Sequence, residues 1–186
     1  MLFRSGGATD QYSPELTVDN HPIDPPNEAG YHVSEDIVDQ AIAMISAHQS
    51  SAPGNRFFTY LAFGATHSPH QAPAEYVEKY RGRYDEGWDI VRQRWFERQL
   101  ELGIVPEGTA LAPRNPGVEA WDDLPPENQR LYARMQEAFA GFLDHTDDQI
   151  GRLIDFLEAQ DLLDDTLLVL ISDNGDRKST RLNSSH

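Results

Sequence analysis

Two short apolar runs constrain most strongly what this chain can build. Arg56–Phe63, RFFTYLAF, is aromatic and β-favouring, with breakers on both sides. Thr166–Ile171 is a second such run, and Ser172-Asp173-Asn174-Gly175 turns polar at its tip. Runs this continuously apolar read as strands buried on both faces, the habit of parallel sheets. Parallel neighbours need a long crossover, and residues 64–165 between the runs are largely helical in pattern. The expected fold is therefore α/β, a parallel sheet flanked by helices. Two strands do not make a stable sheet, so that sheet is expected to be incomplete in this chain.

The helices are placed by period and punctuation. Residues 1–33 are rich in Pro, Asn and Asp, lack a period, and read as loop. Ser34 is expected to cap a helix reaching about His48, with Val38, Ala41, Ile42 and Ile45 at helical spacing and Glu35 and Asp36 favouring its N-terminal dipole. A short helix is expected over Ala74–Tyr80. A third covers residues 87–103, packing through Ile90, Val91, Trp95 and Leu100. Residues 104–125 are loop. From Pro126 to Gln160 runs a stripe of Leu131, Met135, Phe139, Phe142, Ile150, Leu153 and Leu157, with a kink or break expected in its polar middle, DHTDDQIG.

Composition removes several classes of function. The net charge is −16, which argues against nucleic acid or an anionic membrane surface as partner. An anionic substrate then needs a local positive site, from a metal or from particular Arg and Lys residues. There is no cysteine, so disulfides, thiolate zinc sites and a Cys nucleophile within these residues are excluded. No apolar run reaches the length of a membrane span. Compartment is not readable from the sequence.

In parallel α/β sheets ligands gather beyond the carboxyl ends of the strands. The first run delivers Thr66, His67 and His70 there, and the second delivers Asp173 and Asn174. A carboxylate beside an amide carbonyl is hard-oxygen ligation, suited to calcium or magnesium rather than zinc. Each element also has a plain structural reading. Asp-Asn-Gly is a common turn. His67 can be a hydrogen-bonded strand-end histidine, and His70 a packing residue.

Longer stretches carry a resemblance. ATHSPHQAP, YRGRYDEGWD and LISDNG, with GYHVSEDIVDQAI upstream, resemble the middle of arylsulfatases of the type I sulfatase family, over nearly all of residues 15–175. The resemblance implies an alkaline-phosphatase-like fold and hydrolysis of a small-molecule sulfate ester. The cofactors it implies are calcium and a formylglycine made from a Cys/Ser-x-Pro-x-Arg motif. Asp173 and Asn174 match the family's later pair of calcium ligands. His67 matches the histidine near the ester's leaving oxygen. No role carries over to His70.

Departures from the family pattern matter as much. The early Asp-Asp metal pair and the nucleophile motif are not found. Ser51-Ala52-Pro53-Gly54-Asn55 begins like that motif but has Asn55 where Arg is required. Asp176–His186, DRKSTRLNSSH, resembles a translated sequencing-library adapter, a basic stretch on an acidic chain. The expectation is a partial sulfatase catalytic domain over residues 1–175, a foreign tail over 176–186, and an enzyme whose nucleophile lies outside this chain. Two rivals remain at this stage. One is a phosphodiesterase or phosphonate hydrolase of the same superfamily; the other is a non-enzymatic acidic binding module.

Overall fold

The computed structural model describes residues 3–5 and 10–171, in two compact units that divide between Leu153 and Ile154. The first unit begins with a small antiparallel sheet of β1 (Phe3–Ser5), β2 (Leu16–Val18) and β3 (His21–Ile23), in that order. Leu16 pairs with Ile23 and Val18 with His21. The sequence predicts loop here, because three-residue strands are too short to show a period. The local signal is Asp19-Asn20. Both have positive φ, 45° and 73°, the backbone of a two-residue hairpin turn whose twist matches its strands. Pro22 sits on the edge strand, where a missing N–H is tolerated.

Helix α1 covers Val33–Ser51 and buries Val33, Ile37, Val38, Ala41 and Ile45, the face its spacing predicts. Its cap is not Ser34. His32 has extended backbone, and its Nδ1 accepts the Ser34 N–H at 3.2 Å. Ser34 falls inside the first turn, fully buried. Ser51 of the nucleophile-like stretch closes this helix, donating to the Ala47 carbonyl at 2.8 Å.

Neither expected parallel strand pairs among the described residues, so the parallel sheet is not formed here. Residues 56–63 carry no regular secondary structure. Leu61 and Phe63 pack on the cluster of Leu16, Val33 and Ile37, whereas Phe58 is 90% and Tyr60 77% exposed. A ladder needs a neighbouring strand on its open edge, and no described segment occupies it. The buried strand that the sequence predicts is therefore not seen: only part of the segment packs inward, and no described segment pairs with it.

Three further helices complete the unit: α2 (Ala74–Glu78), α3 (Gly87–Glu101) and α4 (Pro126–Ala159), with a one-turn helix at Trp121–Asp123. On α3 only Val91 of the expected packing side is buried, while Ile90 and Trp95 are about half exposed. Helix α4 runs through DHTDDQIG without a break. Its buried face includes Ala133, Glu137, Ala140, Gly141, His145, Thr146 and Gln149, while Leu131 and Met135 are exposed. The polar middle thus turns His145, Thr146 and Gln149 inward and Asp147 and Asp148 outward. Thr146 Oγ1 donates to the Phe142 carbonyl at 2.8 Å, and Glu137 accepts the Gly82 N–H at 2.7 Å and Arg134 at 2.6 Å. At Gly141 the helix passes so close to α2 that a Cβ would lie 2.8 Å from the Val77 backbone.

The second unit starts within the last turns of α4. A one-turn helix follows at Leu163–Asp165, and residues 166–171 then carry no regular secondary structure, so the second buried strand that the sequence predicts is not seen among the described residues. Leu167, Val169, Leu170 and Ile171 are all exposed. Asp173, Asn174 and the stretch 176–186 lie outside the described residues.

Candidate active site

His67 stands on the loop that joins segment 56–63 to α2. Its N–H closes a turn on the Gly64 carbonyl at 2.9 Å, between cis peptides at Ala65–Thr66 and Ser68–Pro69. The ring is exposed. Nδ1 lies 2.7 Å from the Ser68 carbonyl, which can only accept, so Nδ1 carries a proton. Nε2 makes no hydrogen bond to any described residue. This is how a proton-transfer histidine is arranged: one nitrogen fixed by backbone, the other available. His70 plays the packing part. It is half buried, its ring edge-on to Phe139 at 5.4 Å. Thr66 is half buried and makes no side-chain hydrogen bond among the described residues.

What fixes the loop is Gln71, which sequence reasoning passed over. Its Oε1 accepts the Gln11 N–H at 2.7 Å, and its Nε2 donates to Asp10 Oδ2 at 2.9 Å. Its carbonyl accepts from His32 Nε2 at 3.1 Å. Asp10 also takes the N–H groups of Tyr12 and Ser13. The Gln71 amide and these two backbone donors hold its carboxyl below the usual carboxylate range.

Behind the loop is a buried histidine pair. The rings of His32 and His145 meet edge-on at 4.4 Å, and Tyr76 stands 4.9 Å from His145. His32 accepts at Nδ1 and donates at Nε2, so its neutral form satisfies both nitrogens. Burial, the largest influence, pushes its pKa down. His145 donates from Nε2 to Glu35 at 2.9 Å, leaving Nδ1 buried without a partner among the described residues. Tyr76 donates to Asp148 at 2.6 Å, a bond that raises its hydroxyl to about 12. These groups tie α1, α2 and α4 together beneath the His67 loop. No spacing in the sequence announces them, because they come from three helices and one loop.

The metal side of the expectation rests on Asp173 and Asn174, which lie outside the described residues. Among the described residues no three His, Asp or Glu side chains are grouped to hold a metal ion. By donor chemistry the pair fits calcium, one carboxylate and one amide oxygen out of the six to eight oxygens such an ion takes.

Set beside known proteins, the chain matches the sulfatase family profile over residues 1–184. It is 37% identical to an uncharacterised sulfatase of Schizosaccharomyces pombe over 166 residues, 88% of this chain and 29% of that protein. It is 31% identical to an arylsulfatase of Klebsiella aerogenes over 169 residues, 91% of this chain and 35% of that enzyme. The chain belongs to the sulfatase family, and it spans about a third of the length of these relatives.

Proposed function

We propose that the protein to which these residues belong is an arylsulfatase-like sulfuric ester hydrolase, acting with calcium and a formylglycine formed outside this chain. Family membership carries the reading, and the fixed tautomer of His67 supports it. Calcium and formylglycine, when present, supply charge neutralisation at the sulfate oxygens and a nucleophile for sulfur. The residues of this chain do the rest. Asp173 and Asn174 offer the hard oxygens of part of the calcium shell. His67, once protonated at Nε2, donates to the departing alcohol or phenol oxygen, while the Ser68 carbonyl keeps the ring from turning. Gln71 holds the loop that presents it.

The test is an assay of the complete protein on an aryl sulfate, with the matching phosphate and phosphonate esters alongside. His67→Ala is expected to lower kcat by roughly 10²–10⁴-fold, and Asp173→Ala to remove most activity until calcium is raised. The deficit of His67→Ala should shrink as the leaving phenol is made more acidic, since such a phenol needs less help to depart. Preference for the phosphate or phosphonate ester, or a His67→Ala enzyme as fast as the parent, would overturn the reading.

A further inference from the structure

A cavity of about 260 Å3 opens between α3, the start of α4 and the one-turn helix at Trp121–Asp123. Five aromatic rings wall it: Tyr84, Trp88, Trp95, Trp121 and Tyr132. Every tryptophan of the chain is among them. The rings are held before any ligand arrives. Gly87 has φ +81°, and a Cβ there would fall 2.0 Å from Trp121 Cγ, so the backbone of α3 itself backs the indole. Trp121 donates its N–H to Asp89 at 3.0 Å, and its carbonyl accepts from Gln129 at 2.8 Å. Asp89 is anchored in turn by Arg114 at 2.9 Å. Trp88 donates from Nε1 to the Glu119 carbonyl at 3.2 Å, and meets Trp121 edge-on at 4.9 Å and Tyr132 tilted at 5.7 Å. Walls fixed this way lose little freedom on binding.

Size and lining define the occupant. An apolar cavity of about 150 Å3 is enough for benzene, so this one takes a ring system larger than a single benzene. Walls built of aromatic faces and edges favour a flat π-system over a puckered aliphatic ring. The lining contains one charged side chain, Arg92, and no carboxylate. Arg92 directs Nη2 to the Ala112 carbonyl, which orients the guanidinium and leaves its Nε and Nη1 donors without a hydrogen-bond partner among the described residues. On a chain of net charge −16, a cation presented beside five rings selects an anion with an aromatic body.

We propose that this cavity binds a planar aromatic anion, its rings against Trp88, Trp95 and Tyr132 and its acidic group on Arg92. None of the residues assigned to sulfate-ester chemistry takes part, so the two readings stand or fall separately. Calorimetric titration of 2-naphthoate into the 186-residue chain, with tryptophan emission recorded alongside, tests it. One saturable site is expected, with emission changing in step with the heat. Cyclohexanecarboxylate should bind at least about tenfold more weakly. Arg92→Gln should weaken 2-naphthoate about tenfold, the loss of a charged hydrogen bond, and leave uncharged 2-naphthol unchanged, which also shows that the cavity is intact. Trp95→Ala, at a half-exposed position, should weaken both aromatic compounds. Phe58→Ser, on the exposed segment outside the cavity, should change neither. The proposal is overturned by the absence of a saturable site, by equal 2-naphthoate affinity in Arg92→Gln, or by loss of binding in Phe58→Ser. It is equally overturned if sedimentation shows a dimer that dissociates on Trp95→Ala, since a second copy of the chain would then be the occupant.

Discussion

His32 has both ring nitrogens committed, Nδ1 to the Ser34 N–H and Nε2 to the Gln71 carbonyl. A second proton would have to go to Nδ1 and would break the cap of α1. Other groups facing the ring act in both directions: His145 opposes protonation, while Glu35 and Asp10 favour it. Burial outweighs them, so the folded pKa lies below that of the unfolded chain. The unfolded state then binds more protons below about pH 6.5, and stability must fall as pH drops through that point. One such group contributes at most about 1.4 kcal/mol per pH unit. The carboxylates held low, such as Asp10 and Asp89, act in the same direction but only below their ordinary values near 3.8. Denaturation midpoints between pH 7 and 4.5 therefore avoid these carboxylates, and comparison with a variant at residue 32 separates this histidine from the other six. The parent chain should lose stability across this window. His32→Asn keeps a capping acceptor but cannot titrate, so its profile should be flatter even if its midpoint at pH 7 is lower. Equal slopes would show that His32 does not control the response.

At the scale of elements, two glycines of α4 give opposite expectations from one substitution. Gly141→Ala drives a methyl to 2.8 Å from the backbone of Val77, which has no rotamer with which to move aside. Overpacking of this kind costs about 1–3 kcal/mol, more than the roughly 1 kcal/mol by which alanine improves a helix. Gly151 has open space around it, so there the helix gain should appear alone. Gly141→Ala should lower the urea midpoint and Gly151→Ala should raise it; a stabilising Gly141→Ala would mean that α2 and α4 do not meet as described. The contrast also marks what the sequence can and cannot announce. Helical period and breakers located α1, α2, α3 and α4 to within a few residues. They placed Phe142 and Leu157 of α4 correctly in the interior but misjudged the rest of its face: Leu131 and Met135 obey the period yet are exposed, while His145, Thr146 and Gln149 are buried. A polar residue can be interior when its partner, such as Glu35 for His145, comes from a distant element that no local window contains. The hairpin at Asp19-Asn20 was missed for the reverse reason, its strands being shorter than any period. At the candidate site, His67 was singled out only through the resemblance of its motif, whereas Gln71, which ties its loop down, carried no such signal.

At the scale of the whole molecule, the question is how much chemistry these residues perform alone. The Cys/Ser-x-Pro-x-Arg motif does not occur in them, and cysteine is absent altogether. In the proposed reading Asp173 and Asn174 would offer only a minority of a calcium shell, an affinity at the loose end of protein sites, roughly millimolar. The net charge of −16 further repels a sulfate ester wherever no bound cation offsets it. In the proposed role His67 would contribute at most the general-acid share, roughly 10²–10⁴-fold, against the 10⁶-fold or more that separates typical enzymes from the uncatalysed reaction. The deficit is too large for geometry at one histidine to close, whatever the precision of its loop. The purified 186-residue chain should therefore give no aryl sulfate hydrolysis above buffer, with or without millimolar calcium. A longer polypeptide that includes the nucleophile motif should hydrolyse the ester and stop when calcium is chelated. Turnover by the short chain that chelation abolishes would show that these residues assemble a working site without the formylglycine.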